Sequence, residues 1–160
     1  MARSSFVLVL LLSALASFPA AAEAQTDRDE VLAVMERFFT ALGERDTATM
    51  SELFIDGAHM VSVEVAGDDA VATGFTFPRM QAMLAGGGPP MLERMWDPQV
   101  MVDGPIAVVW TPYDFHIDGR FSHCGTDVFM LARTGGVWKI TGASWTVQPT
   151  GCESSPLGEP

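Results

Sequence analysis

Three ionisable side chains, Asp114, His123 and Asp127, stand on two apolar runs joined by Asp118-Gly119. Asp-Gly favours a primed two-residue turn between antiparallel neighbours, and such a turn pairs Ile117 with Arg120. Counting back along both runs sets Asp114 opposite His123, Trp110 opposite Asp127, His116 opposite Phe121 and Val108 opposite Phe129, all on one face. A carboxylate facing an imidazole holds one tautomer and raises its pKa. That arrangement serves general acid–base chemistry, with His123 as base and Asp114 as its orienting partner. Asp127 with Trp110, Phe129 and Met95 or Trp96 makes an apolar pocket with few polar groups, the physical description of a small-molecule site. The plainer reading is a cross-strand ion pair contributing at most about 1 kcal/mol, with Asp127 accepting from Trp110 or a backbone amide. The opposite face carries Tyr113, Phe115 and Thr111. His59, on a Val-lined strand face, reads as a core histidine, and His116, near the turn, as an exposed one.

Other chemistries lack their residues. No Gly-x-Ser-x-Gly elbow, Walker loop, dinucleotide fingerprint or His-Glu-x-x-His is present. Cys124 beside His123 fails as a dyad because adjacent strand residues point to opposite faces. Neither CxxC nor Cys/His ligand spacing occurs, so a zinc site has no support.

The elements that must position these groups fall into two halves. Val31, Val34, Met35, Phe38, Phe39 and Leu42 form one stripe of an amphipathic helix, capped at Thr26 or Asp27 and ended by Gly43. Asp46 caps a short second helix carrying Met50, Leu53 and Phe54. Residues 58–65 alternate as a strand, with His59, Val61, Val63 and Val65 on one side and Met60, Ser62 and Glu64 on the other. After a turn at Gly67-Asp68-Asp69, a third helix begins near Pro78 and ends before the Gly86–Pro90 loop. Three turn signals, Asp103-Gly104, Asp118-Gly119 and Gly135-Gly136, then separate four runs at about 92–102, 105–117, 120–133 and 137–148. Asp97-Pro98 marks a bulge or bend in the first. Helices followed by a long curved meander make an α+β domain.

With 160 residues, 48% of them apolar, the chain holds one ordinary domain. Nine Lys and Arg against twenty Asp and Glu give a net charge of -11, which makes nucleic acid and anionic membrane surfaces poor candidate partners. Residues 1–24 read as a secretory signal: Arg3, an apolar run from Phe6 to Ala16, Pro19, then Ala22-Glu23-Ala24. The run is too short to span a bilayer. An oxidising compartment makes a Cys124–Cys152 bridge the first expectation, stabilising by about 3.5 kcal/mol through its closed loop. The alternative is two unrelated thiols.

Trp110-x-Pro112-Tyr113-x-Phe115, Asp118-Gly119, Phe121-Ser122-His123-Cys124-Gly125, Phe129 and Trp138-Lys139-Ile140 resemble the second half of the "putative lumazine-binding" group. That group belongs to the nuclear transport factor 2-like (SnoaL-like) superfamily, and the resemblance spans about Asp27 to Cys152. It implies a cone-shaped barrel in which three N-terminal helices pack on a strongly curved, mixed, largely antiparallel sheet around a pocket. It also implies a homodimer through the outer face of the sheet. The superfamily holds isomerases, dehydratases, cyclases, non-catalytic binders and association modules, so fold does not settle activity. Its enzymes use a Tyr and Asp, or His and Asp, constellation. This chain has only Tyr113, which the pairing above turns away from His123, against an isomerase-like oxyanion site.

The expected protein is therefore secreted or periplasmic, with a signal at 1–24, a domain at 25–148 and a tail at 149–160. It binds a small apolar or aromatic ring-containing ligand, uncharged or cationic, with no cofactor, no metal and no membrane contact after signal cleavage. Two alternatives stand beside this. One is a cofactor-free lyase or isomerase acting on a small cyclic substrate through His123 and Asp114. The other is a non-catalytic association module whose pocket is filled by its own side chains.

Overall fold

The structure, a computed structural model, describes residues 19–67 and 69–160. Most of the expected signal segment, and Asp68 of the expected turn, lie outside the described residues. Helix α1 (Pro19–Glu44) begins well before Thr26, because the Ala-rich stretch ahead of it has high helix propensity. Thr26 and Asp27 thus stand inside the helix rather than at its cap. Asp27 is ion-paired with Arg133, whose guanidinium also lies 3.1 Å from Glu30.

Helix α2 (Thr47–Leu53) starts as expected from Asp46, whose Oδ1 accepts from the Ala48 and Thr49 amides at 3.0 Å each. It stops at Leu53, and Phe54 already opens strand β1 (Phe54–Ala66). Ala58 and Met60 point inward and His59 is exposed, so the inner face of β1 is the reverse of the Val-lined face expected to be core. Strand β2 (Asp69–Thr76) pairs antiparallel with β1. It is an edge strand, exposed except at Phe75, and carries little alternation to announce itself. Helix α3 (Phe77–Ala85) follows, burying Phe77, Met80 and Leu84.

The remaining strands are β3 (Met91–Met95), β4 (Gln99–Asp103), β5 (Ile106–Ile117), β6 (Arg120–Thr134) and β7 (Val137–Val147). The first expected run is divided at Trp96-Asp97-Pro98, where Asp97 has φ 46. β3 then pairs with the second half of β5 and β4 with its first half. The sheet order is β2-β1-β7-β6-β5-β3, with β1–β7 parallel and every other pairing antiparallel. This mixed, open, strongly curved sheet wraps one core of Phe38, Met50, Phe54, Met60, Phe129, Leu131 and Ile140 beneath the three helices.

Two one-residue bulges bend the long strands. Thr141 is the extra residue between β7 and β6, where its hydroxyl donates to the Met130 carbonyl at 3.1 Å. Ser122 is the extra residue of β6 against β5, between the pairs His116–Phe121 and Phe115–His123. A bulge shifts every later partner by one residue and so changes which side chains share a face.

Cys124 and Cys152 are bridged, fastening the tail to β6. Replacing both by serine is expected to cost about 3.5 kcal/mol, read as a lower urea-unfolding midpoint at unchanged slope.

Candidate functional site

The concave side of the sheet, with α1 and α3, encloses a cavity of about 320 Å³. Aromatic rings form most of its wall: Phe38 from α1, Phe54 from β1, Phe75 from β2, Phe115 from β5, Phe129 from β6 and Trp145 from β7. Phe38 meets Phe129 edge-on at 5.1 Å, and Trp145 meets Phe75 edge-on at 5.8 Å. Met60, Met80, Met83 and Met91 fill the spaces between, giving a wall that adapts to shape.

Four polar groups of the sheet enter this apolar space: Glu93, Tyr113, His123 and Asp127. Asp127 is 3% exposed, and its Oδ2 has no hydrogen-bond partner. Burial pushes the Asp127 carboxyl up to about 7, although a hydrogen bond from Glu93 holds it back. Burial, then the charge of Asp127 and the hydrogen bond to it, push Glu93 well above the ordinary carboxylate range. Two carboxyls in one apolar space disfavour double ionisation, so Glu93 keeps its proton beside Asp127.

Tyr113 lies beside this pair. Its hydroxyl donates to the Thr146 carbonyl at 2.7 Å, and burial with the charges of Glu93 and Asp127 raises its pKa. His123 stacks on Phe115 at 4.8 Å, and its Nδ1 lies 3.0 Å from Ser122 Oγ. Burial lowers its pKa, so the imidazole is neutral at pH 7. Arg45, at φ 57, reaches the cavity beside the Gly86–Pro90 loop and donates to the Pro89 carbonyl at 3.0 Å.

The bulge at Ser122 redistributes the residues expected to share one face. His123, Asp127 and Phe129 line the cavity together with Tyr113 and Phe115. Asp114 does not face His123. It pairs with Cys124 on the ladder and turns to the outer face, where Arg94 grips it with bonds of 2.9 and 2.6 Å. Burial alone would raise Asp114, but hydrogen bonds from Arg94 and Ser155, then the charges of Arg94 and His116, outweigh it and hold the carboxyl below its ordinary value. His116, expected to be exposed, is 5% exposed, with Nε2 3.4 Å from Asp114 Oδ1. The tail crosses this cluster, as Arg94 also donates to the Gly158 carbonyl at 2.9 Å. Trp110 is 44% exposed on the outer face. Met95 packs against the core, and Trp96 occupies the break before β4, where its carbonyl accepts from Thr111; neither lines the cavity.

Glu93 escaped sequence reasoning although it had a signal. Met91, Glu93 and Met95 alternate with Leu92 and Arg94, which puts an acid between two methionines on one face. Tyr113 was assigned to the wrong side by the unbulged register. Among the described residues, no group of three or more His, Cys, Asp and Glu side chains converges in a manner suited to a metal.

A family model described as "Putative lumazine-binding" matches residues 26–146. The chain belongs to this family. Glu93, Tyr113, His123 and Asp127, and Arg45 with them, fall within the matched span. Among solved structures, the fold is similar to a Mycobacterium tuberculosis protein of unknown function, at 12% identity and TM-score 0.67, covering 81% of this chain and 76% of that one. It is also similar to an NTF2-like protein with a cystatin-like fold from Novosphingobium aromaticivorans, at 15% identity and TM-score 0.66, covering 91% and 95%. A third, described as a putative dehydratase of the NTF2-like family from Streptomyces avermitilis, has 19% identity and TM-score 0.61, covering 77% and 96%. These likenesses place the family member within the NTF2-like fold. No curated protein matches the chain.

Proposed function

We propose that this protein is a secreted binder of a small, flat, ring-containing molecule, held in the aromatic cavity with its polar edge on Glu93 and Asp127. The observation that carries the reading is a buried carboxylate oxygen, Asp127 Oδ2, left without a partner on the wall of a cavity of about 320 Å³. An orphaned buried acceptor costs about 1–3 kcal/mol, and a ligand N–H or O–H removes that cost. The family's description as lumazine-binding supports a ring ligand, and the Cys124–Cys152 bridge supports an oxidising compartment. A thermal-shift screen of fused-ring compounds tests it. A ligand at 100 times its Kd is expected to stabilise by about 2.7 kcal/mol. Ala143→Leu, which adds bulk to the apolar wall, is expected to abolish that shift. Ring compounds that shift wild type and this variant equally would contradict the site.

A specific observation favours a second reading. A carboxylate poised near neutrality beside a protonated one is an acid–base pair, so a cofactor-free lyase or isomerase would use Asp127 as base and Glu93 as acid. Here these two, rather than Asp114 and His123, carry the chemistry. Solvent deuterium entering a carbonyl-bearing ring compound, and failing to do so with Asp127→Asn, is its signature.

The outer face suits a second copy of this chain. Met101, Val108 and Met130 lie side by side across β4, β5 and β6, and Met101 and Met130 are 63% and 49% exposed. Light scattering after size exclusion is expected to give a dimer mass for wild type and a monomer mass for Met130→Lys; a monomeric wild type removes this interface.

A further inference from the structure

We propose that the ligand is an organic cation, a flat ring bearing a primary ammonium or amidinium group that seats against Asp127 and Glu93. The inference rests on the binding reading above and narrows it to a charge class. Asp127 is buried with one oxygen aimed at no partner, and Glu93 is the polar side chain that acts on it in the cavity. Among the described residues, no cation neutralises the two. Arg94, next to Glu93 in sequence, points to the other face and is held by Asp114 and the Gly158 carbonyl. Arg133 is engaged by Asp27 and Glu30. Arg45 reaches the cavity from the loop side, bound to the Pro89 carbonyl, and relieves neither carboxyl.

The other titratable groups facing the pair do not supply a positive charge. Tyr113 of β5 stays protonated, and His123 of β6 stays neutral. Asp114, on the far side of β5, adds negative charge felt by Glu93. A ligand anion would therefore meet two carboxyls, and a neutral donor would form an ordinary hydrogen bond. An ammonium forms charge-assisted bonds, which are roughly twice as strong. Phe115, Phe129 and Trp145 line the same space, and aromatic rings attract cations through the negative quadrupole of their faces. A net charge of -11 draws cations toward the molecule and turns anions away.

The test is calorimetric titration of the full chain with three probes of one shape: 1-naphthylmethylammonium, 1-naphthylmethanol and 1-naphthoate. At pH 7.5 the ammonium is expected to bind about tenfold more tightly than the alcohol, and naphthoate most weakly. With Asp127→Asn, ammonium and alcohol are expected to agree within about twofold. A second arm needs no variant. Lowering the pH of wild type to 5.5 protonates Asp127, weakening the ammonium by about tenfold relative to the alcohol. Equal binding of alcohol and ammonium by wild type, or a preference retained in Asp127→Asn, overturns the inference while leaving the binding site in place. Failure of all three probes to bind, the alcohol included, counts against the binding reading itself.

Discussion

Asp127 is expected to cost the folded state about 4 kcal/mol as pH rises from about 4 to about 7, opposite in sense to ordinary acid denaturation. The cause is burial, which raises Asp127 from an ordinary carboxylate value to about 7. Between its unfolded and folded values, the native state binds the proton that the unfolded chain has released. The contribution is therefore fully present below the unfolded pKa and is lost as pH rises through the folded one. Glu93, raised further by burial and by Asp127, continues the decline above neutrality. His123 acts in the opposite sense, because burial lowers its pKa and makes the folded state more favourable as the imidazole loses its proton. Comparing urea unfolding at pH 5 and pH 8 for wild type and for Glu93→Gln combined with Asp127→Asn isolates the pair. The variant is expected to lose that decline and to keep only the opposite slope of His123, and a wild type that declines no more than the variant would contradict the buried pair.

Gly125→Ala is expected to cost at least about 4 kcal/mol and to leave little folded protein. A Cβ at this position would stand 2.0 Å from the Thr146 carbonyl oxygen and 2.7 Å from Tyr113 Cε1. Neither neighbour can retreat. The Tyr113 hydroxyl donates to that same carbonyl, and Thr146 Oγ1 accepts from the Thr126 amide at 2.9 Å. The missing side chain is thus what lets Tyr113 lie across β6 and form part of the cavity wall. Gly74→Ala is the control. Its Cβ would meet only the Met60 carbonyl, at 3.9 Å, and the exposed edge strand β2 should tolerate it within about 0.5 kcal/mol. Circular dichroism melts of the two variants separate the cases, and a normally folded Gly125→Ala protein would contradict the packing described for Tyr113.

Much of this fold is legible in the sequence because its signals are local. The Asp46 cap, the helical stripe from Val31 to Leu42, and the Asp103-Gly104, Asp118-Gly119 and Gly135-Gly136 turns each act within a few residues. Pro98 marks the division of β3 from β4 for the same reason. The cavity residues were legible only in part because facing depends on register, and register is altered by a single unpaired residue. Pairing begins as the turn dictates, at Ile117–Arg120 and His116–Phe121, and then slips at Ser122. Nothing in Phe121-Ser122-His123 announces that slip, so Asp114 and Trp110 exchange faces with Tyr113 and Phe115. Glu93 and Asp127 come together only because the sheet is curved, and curvature is a property of the whole assembly rather than of either strand.

The proton held between Glu93 and Asp127 is read most directly by carbon-detected NMR of the side-chain carboxyls across pH 3 to 9. Two resonances, assigned by Glu93→Gln and Asp127→Asn, should titrate above all others, the Asp127 step near pH 7, and both should move when 1-naphthylmethylammonium is added. A spectrum in which every carboxyl has lost its proton by about pH 5 would mean that the pair is solvated and that the cavity is not the binding site assigned to it.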